Sequence, residues 1–221
     1  MSISAIHVVV RPRHRLFVVA KRVVQALFVI VALPRCACFW LGNALLGPRA
    51  FMAASESIAR IPGIRGVLIR QAFYGRVLAH CGKDVYFGWL SVFSMTEARI
   101  GDRAYIGKYC SLGFADLEDE VMLADGAQIL SGGHEHNRHD TKVSMQSQAQ
   151  TYHRVRIGRG SWIGAGAIVM ADVGEHSIVG AGAVVTKPLP AFSVAIGVPA
   201  RIVRTLQRPR ISADPQVAEV T

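Results

Sequence analysis

Cysteine is scarce in this chain of 221 residues: only Cys36, Cys38, Cys81 and Cys110 are present. Their spacing makes neither a disulfide framework nor a paired zinc motif, so the fold does not rest on cross-links or a structural metal. Cys36 and Cys38 fall inside an apolar run and Cys110 takes a repeat position, which suits reduced, space-filling thiols in a cytosol-facing protein. Acidic residues are also few, 15 against 25 lysines and arginines, for a formal charge of +10. A basic balance raises nucleic-acid binding as an option, but no recognition module is present. The basic cluster of Arg11, Arg13, Arg15, Lys21 and Arg22 instead abuts a very apolar stretch. Missing, too, is an uninterrupted apolar run of the roughly 20 residues that a bilayer crossing takes. Val23 to Leu33 is too short, and Pro34, Arg35 and Asn43 interrupt the continuation to Leu46. Cys36-Ala37-Cys38 is a poor signal-peptide cleavage site. A monotopic or re-entrant helical segment fits best, with arginines at anionic headgroups and aliphatics in the acyl boundary. The competing reading is a buried N-terminal helical cap.

What is abundant is a six-residue step. Ile157-Gly158, Ile163-Gly164 and Val179-Gly180-Ala181-Gly182-Ala183-Val184 each open with an aliphatic residue followed by glycine. Upstream the step recurs at Ile100-Gly101, Ile106-Gly107, Leu112-Gly113, Leu117, Leu123-Ala124 and Ile129, with fainter units at Phe87-Gly88 and Phe93-Ser94. A period of six is neither helical nor simple strand alternation; it marks a hexapeptide β-helix, each short strand forming one side of a coil. The aliphatic residues point inward, and the glycines after them are expected to let the backbone turn tightly. The step from Val169 to Val179 is ten rather than twelve, read as one locally tightened coil. The organisation expected is a basic and apolar segment over 1–48, a helical connector over 49–80, a solenoid over 81–204 and a tail over 205–221. Arg65, Arg70 and Arg76 of the connector are expected to extend the basic surface.

Regularity breaks between Ser131 and about Arg154, a polar stretch rich in histidine. Long polar excursions from a repeat project from one face and often carry function. His134, His136 and His139 lie there, with His153 at its end and His176 further on. Histidine accepts a proton near neutral pH, which suits a general base acting on a hydroxyl. A zinc site is the alternative, since hexapeptide solenoids also carry γ-class carbonic anhydrases and His134 and His139 have a suggestive offset. A third ligand would have to come from around residues 95 to 102, where no histidine occurs, and catalytic zinc needs three protein ligands.

From Arg156 to Arg204 the chain resembles the hexapeptide acyltransferases that use acetyl-CoA, such as galactoside, maltose and chloramphenicol acetyltransferases. The residues that carry the resemblance are Trp162-Ile163-Gly164-Ala165, Val179 to Lys187, Pro188-Leu189-Pro190 and Gly197 to Arg204. Weaker similarity extends it to about Cys81. The resemblance implies a left-handed parallel β-helix, an exception to the right-handed crossover rule, and a homotrimer with sites in the clefts between subunits. It implies that His134, following Gly133 on the loop, is the general base, with His136 as backup, and that a backbone N–H near Ala165 stabilises the oxyanion. It places the cofactor against Trp162, the small residues Gly164, Ala165 and Ala181, then Thr186 and Lys187, with Arg201 and Arg204 reaching phosphates. No metal is implied.

Acceptor residues do not carry over in the same way. The coil between Ser111 and Leu117 is shorter than in the galactoside enzymes, leaving Asp116 as a sugar ligand by position alone. The N-terminal segment then favours a saccharide hydroxyl of a surface polysaccharide or lipid-linked precursor, acetylated at the cytoplasmic face of the inner membrane. Serine acetyltransferase and sugar-nucleotide N-acyltransferase are rival activities, and a non-catalytic trimeric scaffold is the rival of another class.

Overall fold

The computed structural model describes residues 15–133 and 144–207. Three helices, α1 (Arg15–Leu46), α2 (Pro48–Ala59) and α3 (Gly63–Val77), precede a parallel β-solenoid of six coils. Each coil has three faces. Face A pairs His80–Cys81, Arg99–Ile100, Ala115–Leu117 and Val155–Ile157, then continues as single bridges at Val173 and Leu189. Face B stacks six parallel strands from Tyr86–Phe87 to Ser193–Ile196, with Arg201–Thr205 added antiparallel at the end. Face C stacks five, from Val92–Phe93 to Val184–Val185. The aliphatic residue that opens each unit is sealed in the interior: Ile100, Ile106, Leu112, Leu123, Ile129, Ile157 and Ile163 are all 0% exposed. Each such burial contributes roughly 1.5–3 kcal/mol, and each coil gains it only by stacking on its neighbours.

The turns work differently from the sequence expectation. The glycine after each aliphatic is not the turning residue. Gly164 is required because a Cβ there would lie 2.4 Å from the Ala181 amide nitrogen of the next coil. Turning falls two residues later, on positions with φ near +60°: Asp84, Arg103, Glu120, Gly160, His176 and Phe192 at the A/B corner, Leu90, Tyr109, Gly126, Gly166 and Gly182 at the B/C corner. Non-glycine residues accept that left-handed conformation at about 1–2 kcal/mol apiece.

Inward residues are always six apart from face A to B and from B to C. From C to A the step is seven (Phe93 to Ile100), five (Leu112 to Leu117) or four (Val169 to Val173, Val185 to Leu189). The ten-residue step is therefore no isolated irregularity, since the next coil is shortened at the same corner. The excursion after Ile129 leaves from this corner too and rejoins face A at Val155.

Helices α2 and α3 close the open end of the first coil. Tyr74 is fully buried against Phe87 and Phe93, with ring centroids 4.9 and 4.7 Å away. Ser55 Oγ hydrogen-bonds Tyr74 Oη at 2.8 Å and accepts the Phe93 N–H at 2.9 Å. Arg70 corrects the expectation of a basic surface: it is 1% exposed. Its guanidinium donates to the carbonyls of Ile58, Ala59 and Ile61 at the end of α2 and to that of Phe87. Helix C-termini leave such carbonyls without partners, and a cation satisfies them well.

Helix α1 runs through Pro34 without a break, another departure from the expected interruption. Proline removes one intrahelical bond and disturbs the preceding turn; here the Arg35 guanidinium donates to the Val31 carbonyl at 3.4 Å. One side of α1 packs on α3 and α2, with Ala32, Cys36 and Phe39 buried, and the other side is exposed. All four cysteines are free thiols, but Cys38 is exposed rather than space-filling.

Candidate functional site

The histidine loop is rooted at the C/A corner. Its first and last described residues are tied together: the His153 N–H donates to the Ser131 carbonyl at 2.7 Å. Gly132 has φ +97°, and a Cβ there would meet His153 Cβ at 2.9 Å, so the root needs glycine. Ser131 Oγ accepts the Phe114 N–H at 3.0 Å. Arg154 closes the exit, with its guanidinium 4.4 Å from the Phe114 ring centre, 3.7 Å from Asp116 Oδ2 and bonded to the Glu97 carbonyl. His134, His136 and His139 lie outside the described residues. Gly133, immediately before His134, is next to Met170.

Asp116 sits outward on face A, in register with Arg99 and Arg156. It lines a polar hollow of about 350 Å³ with His80, Arg99, Glu118, Asp119 and Arg159. Neighbouring Glu118 is engaged by Arg156 and by the Arg159 N–H at 2.8 Å. Burial alone would raise the Glu118 carboxyl, but these partners hold it below the ordinary carboxylate range. Asp116 is thus at the loop root, already paired with Arg154, beside an open hollow.

The B/C corner has the other notable geometry. There the Lys108 N–H is taken by Asp125 of the next coil at 2.8 Å, as Asp102 and Asp119 take the N–H groups of Lys83 and Asp102 at the A/B corner, at 2.7 and 2.8 Å. In the C-terminal coils that aspartate is replaced by alanine. Ala165 and Ala181 stack one above the other, both exposed, and the Ala165 N–H meets no acceptor among the described residues. Beside them Gly166 and Gly182 have nothing within 4 Å of a hypothetical Cβ. The result is a smooth track of small residues with an open amide donor. Gly164, grouped with this track from sequence, faces the next coil's backbone and belongs to packing.

The remaining candidates spread around this end of the solenoid. Thr186 and Lys187 are exposed at the C/A corner, across face C from the alanine track. Arg201 and Arg204 are exposed on the antiparallel strand, in register with Ile196 and Val194. Trp162 is not wedged between coils: it stands outward on face B, 49% exposed. It belongs to a stripe in register that the sequence reading missed, Tyr86, Tyr105, Met122, Trp162 and Ile178. Tyr86 and Tyr105 stack at 4.7 Å. The signal was available, since each stripe residue immediately precedes an inward apolar residue.

Residues 154–187 match the family model described as bacterial transferase hexapeptide (six repeats). This is a hexapeptide-repeat solenoid. The fold is shared with a maltose O-acetyltransferase from Clostridium difficile, at a TM-score of 0.66 and 23% identity over 75% of this chain and 90% of that one. A hexapeptide-repeat acetyltransferase from Vibrio cholerae, solved with acetyl coenzyme A, aligns at a TM-score of 0.61 and 19% identity, over 73% of this chain and 88% of that one. In sequence, a probable acetyltransferase of Mycobacterium tuberculosis is 30% identical over 133 residues, 57% of this chain. The match spans 44% of the length of that relative.

Proposed function

We propose that the chain transfers an acetyl group from acetyl-CoA to a hydroxyl of a saccharide, by direct attack and without a covalent acyl-enzyme. The observation that carries this reading is the alanine track at the B/C corner, with an Ala165 N–H that meets no acceptor among the described residues. That donor, open where the matching Lys108 N–H is closed by Asp125, is suited to an oxygen on which negative charge develops. The small residues fit a pantetheine arm, and Lys187, Arg201 and Arg204 supply charge for phosphates. Acetyl-CoA, when bound, supplies the activated thioester carbonyl. His134, next in the chain after the loop root at Gly133, takes the acceptor hydroxyl proton, and Asp116 with its neighbouring hollow on face A orients the sugar.

The apolar stripe on face B supports a homotrimer, since a second copy would cover Tyr105, Met122 and Trp162. The basic N-terminal third and α1 support an acceptor presented at the cytoplasmic membrane face, a lipid-linked saccharide or polysaccharide precursor. The test is thiol release from acetyl-CoA with glycan acceptors. His134→Ala should lower turnover by on the order of 10²–10⁴-fold while CoA still binds in calorimetric titration. Turnover near wild type would move the role to His136 or end the mechanism. Mass spectrometry of glycans from wild-type and deletion strains identifies the acceptor.

A further inference from the structure

Helix α1 presents two unlike halves. Lys21, Gln25, Phe28, Ala32, Cys36 and Phe39 recur every three or four positions and turn inward. At 100° per residue, the opposite half between Val19 and Leu46 has Arg22 on one rim and Arg35 on the other. Between those rims it has no charged, amide or hydroxyl side chain. Val23, Leu27, Ile30, Leu41 and Leu45 lie there, between 54% and 75% exposed. By length and composition α1 is able to cross a bilayer, but its inner half is fixed along its length to the rest of the protein. Lys21 pairs with Asp84 of the first coil at 2.6 Å, Gln25 meets Gln71 of α3 at 3.4 Å, and Phe39 packs edge-on against Phe73 and Phe51. A crossing α1 would draw Gln71, Asp84 and the first coil into hydrocarbon, where each polar group without water is costly.

Charge selects the occupant of the outer half. Residues 1–83 hold 12 of the 25 lysines and arginines and only one of the 15 acidic residues, Glu56. That third of the chain is thus +11, and the remainder −1. Two copies joined through α1 would bring arginine rims of like charge together, whereas an anionic lipid surface neutralises them.

Resting on the membrane-face reading above, we infer that α1 lies in the plane of an anionic membrane interface, outer half in the lipid and inner half on the protein, and does not cross. The test uses the full chain and vesicles of phosphatidylcholine, alone or mixed with phosphatidylglycerol. Flotation should show binding to the mixed vesicles that weakens with salt. Arg35→Gln should lower the partition about fivefold, and Leu27→Glu with Ile30→Glu on the order of 100-fold or more. Depth is read by brominated lipids on Leu33→Trp and Leu45→Trp in a background where Trp40, Trp89 and Trp162 are all replaced by Phe. Equal, shallow quenching at both positions is expected of an in-plane helix. Deep quenching at position 33 with shallow quenching at 45 would overturn the in-plane geometry and leave attachment standing. Equal binding to neutral vesicles would overturn the anionic preference, and no binding would overturn attachment altogether. Thiol release from acetyl-CoA on the same preparations reports the transfer activity separately, so its loss with intact flotation touches only the acyl-transfer reading.

Discussion

Ala181→Asp separates the stability and the chemistry of the B/C corner, because it should move them in opposite directions. At this corner Asp125 accepts the Lys108 N–H of the coil before at 2.8 Å, and Asp102 and Asp119 make the same contact at the A/B corner at 2.7 and 2.8 Å. Ala181 occupies the equivalent position above Ala165, so an aspartate there rebuilds the same contact on an amide that has none among the described residues. A hydrogen bond to a charged acceptor, discounted for its exposed position, contributes about 1 kcal/mol. The melting temperature should therefore rise by about 2–4 °C. Activity should fall, since the donor is now engaged; loss of one oxyanion donor costs on the order of 10²–10³-fold. Thermal unfolding and thiol release from acetyl-CoA, measured on one preparation, give both numbers. Ala181→Leu is the control, similar in bulk and without an acceptor. The reasoning fails if the aspartate variant is stabilised and keeps near wild-type turnover, for then the Ala165 amide has no part in transfer. It fails equally if leucine is as damaging as aspartate, which would assign the loss to bulk alone.

Two glycines of one turn should behave oppositely to a simple turn argument. Gly164→Ala meets backbone of the next coil and should cost about 3 kcal/mol, while Gly166→Ala meets nothing and carries only the left-handed cost of about 1–2 kcal/mol; urea unfolding with reversed order would discount coil contact as the reason for Gly164. For Asp84, burial alone would raise the carboxyl, but the hydrogen bond and charge of Lys21, with Arg22, bring it below its ordinary 3.8. A lowered folded value means stability that is present above the ordinary carboxylate range and lost as pH falls through the lowered one. Acid should thus loosen α1 from the first coil, and Asp84→Asn should remove that acid dependence at a cost of about 1 kcal/mol or less. Thiol labelling at mildly alkaline pH should find Cys38 first, because burial, together with the Asp102 charge, pushes Cys81 up to about 12, and burial pushes Cys110 up to about 11. Rapid native labelling of Cys81 or Cys110 would contradict that packing.

The solenoid was legible because inward aliphatics repeat at six, and that spacing is imposed by the coil itself. Ile100, Ile106 and Ile163 were read correctly because nothing else in a chain demands that period. The mechanism of turning was not legible, since Asp84, Tyr109 and His176 adopt left-handed φ under tertiary constraint that local propensity opposes. Arg70 was misread because its partners are main-chain carbonyls at the end of α2, which leave no trace in side-chain pattern. Continuity of α1 through Pro34 was hidden for a related reason: packing on α3 outweighs the single bond that proline removes. Ala165 and Ala181 were picked out for small size, and the structure adds the reason that matters more, the loss of the acceptor that Asp125 provides at the same corner.

The variable step at the C/A corner has a consequence for how such a chain tolerates change in length. Adding one residue between Ile157 and Ile163 would reverse the inward and outward sense of the strand that follows and expose the core. The same addition between Lys187 and Leu189 joins a seam where coils already differ by several residues and the strand pairing on either side is undisturbed. Loop length at that seam can drift or be engineered without strain reaching the alanine track on the opposite edge of face C. The corner that roots the loop is thereby free to change length, while the alanine track proposed to hold the donor is locked to the pitch of the solenoid.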